Sequence, residues 1–162
     1  MVRIGKFRVK IPDNTTTGFR DFKAEVVLPD NVHIIAMLRS TPFEVINIGR
    51  TTYIKRGTGW LTSTSAGGTS VAEMAGFMRE EGIRDITNVV ALGADSVDGA
   101  PTKVYAFDSV YPLVTGPQQY HVKAWISDAS NTIVKSESTN AAGVTSTTRM
   151  EMDPTITVVA PI

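Results

Sequence analysis

Alternation of apolar and polar residues is the main pattern along this chain. Residues 6–11 (KFRVKI), 43–48 (FEVINI) and 120–127 (YHVKAWIS) alternate with a period of two, which is typical of half-buried β strands. Clusters of Gly, Pro, Asn and Asp separate these runs, as at residues 29–31 and 95–101. Short strands joined by turns predict a meandering antiparallel sheet of about eight to eleven strands.

One strand-like run is continuous rather than alternating. Residues 87–92 (TNVVAL) are mostly apolar and are followed by a glycine. A continuous apolar run of this length is typical of a strand that is covered on both faces. The sequence therefore predicts that residues 87–92 are buried on both sides.

A segment of the middle of the chain has a different period. Residues 70–81 begin with SVAE, whose serine and glutamate have the spacing of a capping box at a helix start. Met74 and Met78 follow on one stripe at helical spacing, with Phe77 beside them. Gly82 is suited to end the helix in a left-handed conformation. This is the one helix that the pattern predicts.

Composition limits the classes of function. The chain has 162 residues without an internal repeat or linker, which favours one domain spanning residues 1–162. Lys and Arg total 16, Asp and Glu total 16, and Cys is absent. With zero net charge, the chain lacks the excess of basic residues that is typical of a nucleic-acid-binding protein. The absence of Cys excludes disulfide and thiolate chemistry. No apolar run approaches the roughly 20 residues of a membrane-spanning helix.

The titratable residues form no recognisable catalytic or metal-binding motif. His33 and His121 lie far apart without metal-ligand spacing, and no serine stands in a nucleophile-elbow pattern. Asp95 and Asp98 share one turn, which supplies fewer oxygen ligands than calcium needs. We therefore predict no catalytic residue, no metal and no cofactor, and an enzyme is the least favoured class of function.

The order of several segments resembles a known family. Residues 29–60 contain PDNVHI, FEVINIG and TTYIKRGTGW; residues 104–110 read VYAFDSV, 121–138 read HVKAWISDASNTIVKSES, and 153–161 read DPTITVVAP. In this order they resemble the bacterial lipoprotein-carrier-like periplasmic superfamily, which includes lipoprotein-sorting carriers and mycobacterial glycolipid-binding lipoproteins. The similarity extends over residues 5–161.

The resemblance implies a fold and a mode of action. The expected fold class is α+β and mainly antiparallel β: a curved, unclosed, barrel-like sheet with the helix of residues 70–81 packed on its concave face. In the family, that concave side commonly holds lipid or acyl chains. The chain departs from the family in having one predicted helix where members often have two or more. It also lacks the Cys that anchors many lipoproteins.

Eight apolar or aromatic residues are candidates for lining a hydrophobic cavity. They are the large side chains of the predicted helix and of the strands that the resemblance places around the concave face. Ordinary core packing is the alternative explanation for the same residues. The candidates are Tyr53, Trp60, Met74, Phe77, Met78, Tyr105, Phe107 and Trp125.

The favoured function is the binding or transport of a lipid, an acyl chain of a lipoprotein or another hydrophobic ligand in the periplasm or cell envelope. An export signal is expected to have been removed, since the first ten residues lack its long apolar stretch. The expected partner is thus a hydrophobic ligand or an envelope protein. Nucleic acid is not an expected partner, and the chain is not expected to span a membrane. The alternative is a non-catalytic interaction module that uses a sheet edge or face to bind an envelope protein.

Overall fold

The computed structural model describes residues 5–14, 19–28, 30–64, 84–113 and 116–161. Within these ranges the chain forms eleven β strands. They are β1 (Lys6–Asn14), β2 (Phe19–Val27), β3 (Asn31–Leu38), β4 (Thr41–Ile48), β5 (Thr51–Arg56), β6 (Gly59–Thr64), β7 (Arg84–Val97), β8 (Ala100–Leu113), β9 (Gly116–Ser127), β10 (Ile133–Asn140) and β11 (Thr145–Met152).

The strands belong to one antiparallel sheet, in the order β6-β5-β4-β3-β2-β1-β11-β10-β9-β8-β7. All neighbours except β1 and β11 are consecutive in the chain, so the topology is a meander. Among the described strands, β6 and β7 stand at the two ends of this unclosed order. The chain divides into two compact units: unit 1 contains Met1–Met78 and Glu151–Ile162, and unit 2 contains Arg79–Met150.

The predicted antiparallel sheet is present, but the predicted α+β class with a helix on the concave face is wrong. The ranges that the structure describes contain no helix. Alternation with a period of two recurs in several of these ranges, and strand pairing satisfies the backbone hydrogen bonds there. The repeated strand pattern is therefore a better guide to the fold class than the single amphipathic stripe at residues 70–81. The predicted helix of residues 70–81 lies outside the described residues, and the single domain stays a prediction.

The core of unit 1 is built from one cross-strand row. Val9 pairs with Ala24, Ala24 with Ile34, and Ile34 with Val45. Directly opposed residues of antiparallel strands share a face, so these four side chains lie side by side across β1 to β4. Each has a relative exposure of 1% or less. The row explains the alternation in residues 6–11, whereas in residues 43–48 the consecutive Val45, Ile46 and Asn47 are all buried.

Unit 2 buries residues on both faces of β8 and β9. Phe107, Val122 and Ala124 form a buried cluster on one face. Val104 pairs with Trp125 on the opposite face, and both residues are 4% exposed. These two central strands therefore carry apolar residues at consecutive positions.

The long strand β7 is interrupted three times. Its pairing with β8 shifts register between Arg84 and Thr87, between Thr87 and Val90, and between Ala91 and Gly93. Asp85, Asn88 and Gly93 have positive φ angles of 52°, 54° and 105° within or beside these shifts. Such bulges increase the local twist of a strand and are common at sheet edges.

We predict that Ile34→Ala lowers the free energy of unfolding by about 2–5 kcal/mol, because it leaves a cavity in the buried row of unit 1. Ile35→Ala is the matched control, since Ile35 is 47% exposed on the other face. Its loss should stay below about 1 kcal/mol. Urea unfolding of both variants measures the difference, and equal losses would contradict the assignment of the two faces.

Candidate functional site

The main candidate site is an apolar surface on one face of unit 2. Phe107 pairs with Val122, and Tyr105 pairs with both Ala124 and Ala91, so these residues share a face. Ile86 and Val89 each precede a residue of the other face, Thr87 and Val90, and the register shift at Asn88 puts both on this face. Tyr120 packs against the buried cluster. We call this surface the apolar shelf; it comprises Ile86, Val89, Ala91, Tyr105, Phe107, Tyr120, Val122 and Ala124.

Exposure rises across the apolar shelf from β9 towards β7. Ala124 and Val122 are 1% and 2% exposed and Phe107 is 7% exposed, whereas Ile86 is 50% and Val89 58% exposed. Isolated exposed apolar side chains are common on protein surfaces, but a contiguous group often marks a binding site. The shelf thus joins an accessible apolar margin to a buried apolar floor.

The prediction that residues 87–92 are buried on both faces is wrong. Val89, Val90 and Leu92 are 58%, 54% and 53% exposed. The physical reason is the position of β7, which has β8 on one side and no described strand on the other. A continuous apolar run does not distinguish a central strand from an apolar strand at a sheet end.

Trp125 lies on the face opposite the apolar shelf, because it pairs with Val104 and follows Ala124 in the strand. Its indole Nε1–H donates a hydrogen bond of 2.9 Å to Asp95 Oδ2. The Nζ atoms of Lys123 and Lys135 lie 4.6 and 4.0 Å from the centre of its ring. The indole hydrogen bond, together with the backbone N–H of Ser96, lowers the pKa of Asp95.

A row of polar residues lies on the same side as Trp125. Thr87 pairs with Asp108, Asp108 with His121, His121 with Thr139, and Thr139 with Thr145. These five residues, from β7 to β11, are called the polar row. Part of the row lines a groove of about 470 Å³ within unit 2.

The opposite face of the unit 1 core carries charged residues. Arg8 contacts Glu25 at 2.9 Å, and Glu44 accepts hydrogen bonds from His33 at 3.0 Å and Lys55 at 2.7 Å. Burial raises the pKa of Glu44, but the hydrogen bonds from Lys55 and His33 outweigh that effect and lower it overall. We call these five residues the charged row.

Both aromatic candidates of unit 1 lie on the face of the charged row. Tyr53 pairs with Ile46, which pairs with His33. Trp60 pairs with Lys55, whose Nζ lies 5.4 Å from the centre of the Trp60 ring. This face is separated by the sheet from the buried row of Val9, Ala24, Ile34 and Val45.

The structure therefore brings together only part of the predicted cavity lining. Tyr105 and Phe107 are two residues apart in β8 and both lie on the apolar shelf, whereas Trp125 is on the other face of the same unit. Tyr53 and Trp60 belong to unit 1. Met74, Phe77 and Met78 lie outside the described residues. A role of these eight residues in ligand binding stays a prediction.

Sequence reasoning missed the exposed margin at Ile86 and Val89 and the polar row. Strict alternation in residues 120–127 does indicate that His121 shares a face with Trp125, but pairing His121 with Asp108 requires the strand register. Within the described ranges, no group of three or more His, Asp or Glu side chains is placed to hold a metal ion. No helix long and apolar enough to span a membrane is present in that part either.

We predict that the coupling between Asp95 and Trp125 depends on pH. Because the pKa of Asp95 is lowered in the folded protein, its contribution to stability is complete above the unfolded value of about 3.9 and is lost as the pH falls through the folded value. A double-mutant cycle with Asp95→Asn and Trp125→Phe measures this coupling. It should be smaller at pH 3 than at pH 7, and a coupling that does not change would contradict the hydrogen bond.

The sequence matches no known protein-family model and no curated protein. Solved structures do match the fold. LprF from Mycobacterium bovis superposes with a TM-score of 0.66 at 17% sequence identity, over 96% of this chain and 88% of LprF. The lipoprotein LppX from Mycobacterium tuberculosis superposes with a TM-score of 0.62 at 14% identity, over 95% of this chain and 88% of LppX.

These superpositions extend over nearly the whole chain at very low identity, so the similarity concerns the fold. The resemblance to the lipoprotein-carrier-like superfamily, drawn from the segments between residues 5 and 161, is confirmed at that level. The chain has the fold of LprF and LppX.

Proposed function

We propose that this protein binds a hydrophobic ligand, such as a lipid acyl chain, on the apolar shelf, and that it acts in the cell envelope without catalysing a reaction. One observation carries the proposal. Ile86 and Val89 are at least half exposed, and they share a face with the buried Phe107 and Val122. An acyl chain at Ile86 and Val89 removes exposed apolar area from water beside a cluster of apolar side chains that is already packed.

The energetics suit a reversible binder. Burial of each methylene group is worth about 0.8 kcal/mol, so a long acyl chain gains on the order of 10 kcal/mol before costs. A bilayer offers the chain a similar gain. A protein that takes up and releases lipid therefore needs a shaped apolar surface rather than reactive groups, and small differences in shape decide the direction of transfer.

Two of the predicted cavity residues fit this proposal directly. Tyr105 and Phe107 lie within the apolar shelf, beside its accessible margin. Trp125 faces the other way, where it contacts Asp95 and two lysines. In this proposal Trp125 stabilises unit 2 and does not touch the ligand.

The fold and one of its structural neighbours support the cellular setting. LppX is a lipoprotein, and both LprF and LppX superpose on most of this chain. The superfamily that the sequence resembles works in the periplasm and commonly holds lipid or acyl chains. We extend this setting and this ligand class to the present chain.

The alternative function, strand addition at a sheet edge, has less support. The three register shifts in β7 interrupt its regular spacing of N–H and C=O groups, which is a feature that hinders edge-to-edge pairing. The strand at the other end, β6, has only six residues. The same three shifts do not prevent contact between apolar side chains and a flexible ligand.

We predict that Val89→Asp weakens binding of the fluorescent fatty acid cis-parinaric acid by about tenfold or more, because a carboxylate on the apolar shelf must be desolvated. Val90→Asp is the matched control. Val90 is 54% exposed but pairs with Ala106 on the opposite face, so its variant should bind like the wild type. Fluorescence titration measures both affinities, and circular dichroism checks that both variants are folded.

Two outcomes would contradict the proposal. If Val90→Asp weakens binding as much as Val89→Asp, the ligand does not occupy the apolar shelf. If the wild type is free of lipid in native mass spectrometry after gentle purification and also fails to bind cis-parinaric acid, the proposed function is wrong.

A further inference from the structure

The polar row places five hydrogen-bonding side chains in line across unit 2. Because each member is directly opposed to the next, the row runs perpendicular to the strands with a step of about 4.8 Å. The hydroxyl groups of Thr139 and Thr145 are hydrogen-bonded to each other at 2.7 Å. This face is opposite the apolar shelf, and the proposed lipid-binding function makes no use of it.

Asp108 organises the centre of the row. Its Oδ2 accepts a hydrogen bond of 2.7 Å from Asn88 Nδ2, and its Oδ1 lies 2.9 Å from His121 Nδ1. These hydrogen bonds lower the pKa of Asp108, so its carboxylate is ionised at neutral pH. An ionised carboxylate accepts from Nδ1–H of His121, and in the neutral form of the imidazole Nε2 is then an acceptor. The bulge at Asn88, with a φ of 54°, holds that amide beside the carboxylate.

The adjoining groove has the size of a small-molecule site and a mainly polar lining. Its volume of about 470 Å³ lies within the usual range for such sites. Its described lining consists mainly of carboxylate, amide, hydroxyl and imidazole side chains. The lining residues besides Thr87, Asn88, Asp108, His121 and Thr139 are Asp85, Ser109, Val110, Gln119, Tyr120, Asn140 and Ala141.

The composition of this lining limits the class of ligand. No Lys or Arg is among the described lining residues, and Asp85 and Asp108 repel phosphate and carboxylate groups. Metal binding is disfavoured, because no three His, Asp or Glu side chains in the described ranges are grouped to coordinate an ion. Only Val110 and Ala141 are aliphatic, so the groove does not suit an acyl chain. Neutral groups that both donate and accept hydrogen bonds match this lining, and an organic cation is the competing class, since two carboxylates attract it.

We infer that the groove along Thr87, Asp108, His121 and Thr139 binds a neutral polyhydroxylated molecule, a saccharide or polyol. Its hydroxyl groups donate to Asp108 and to Nε2 of His121, and they accept from the amide and hydroxyl side chains of the lining. The Asn88–Asp108–His121 arrangement is already formed, so binding loses little side-chain entropy. This site is distinct from the apolar shelf, because the side chains of Asp108, His121 and Thr139 lie on the other face of unit 2. Tyr120 is the one described residue that belongs to both sets.

The test is a set of two-dimensional ¹⁵N–¹H NMR titrations with D-glucose, D-galactose, cellobiose and glycerol. Inorganic phosphate and putrescine serve as the anionic and cationic comparisons. We expect saturable shifts at the amides of Asp108, His121 and Thr139 for at least one saccharide or polyol, with a dissociation constant of about 1–10 mM. Asp108→Asn and His121→Ala should each weaken that binding by about tenfold, because the first replaces a charged acceptor oxygen with an NH2 donor and the second removes Nε2.

Asp98→Asn is the matched control. Asp98 contacts Arg149 in the same unit and does not line the groove, so its variant should bind like the wild type. Unchanged spectra outside the groove show that a variant is folded. The inference is overturned if no saccharide or polyol gives saturable shifts, if putrescine or phosphate binds these amides instead, or if Asp98→Asn weakens binding as much as Asp108→Asn. None of these outcomes affects the cis-parinaric acid titration.

Discussion

Antiparallel strand pairing in a defined register is the constraint on which the rest of this structure depends. Opposed residues share a face, and a shift of one residue moves a side chain to the other face. In unit 1 this register aligns Val9, Ala24, Ile34 and Val45 into a buried row. In unit 2 it separates the apolar shelf from the polar row. The candidate functions therefore follow from which residues are opposed, and not from any local motif.

Part of this arrangement can be predicted from sequence. Residues 6–11 and 120–127 alternate so regularly that both the strands and the division of their side chains between two faces follow from the pattern, and residues 43–48 are predicted as a strand. Tyr105 and Phe107 are likewise assigned to one face by their spacing alone. The helical stripe at residues 70–81 favours an α+β class, and that class is wrong, since the described ranges form β strands only; the stripe itself lies outside those ranges.

The remaining features depend on non-local pairing, which a single sequence does not determine. The run at residues 87–92 has the composition of a central strand, yet Val89 and Val90 are exposed because β7 stands at the end of the strand order. Asp108 and His121 are 13 residues apart and meet only through the register of β8 and β9. Trp125 and Asp95 are separated by 30 residues. Such contacts become visible only when the pairing is known.

The central claim is that a hydrophobic ligand contacts the apolar shelf and leaves the opposite face free. The most direct measurement is of intermolecular nuclear Overhauser effects between the acyl protons of a bound fatty acid and the ¹³C-labelled methyl groups of the protein. The account predicts such effects for Ile86 and Val89 and none for Val90. Effects at Val90 would contradict it, and so would effects at the exposed Ile35 of unit 1 instead of at Ile86 and Val89.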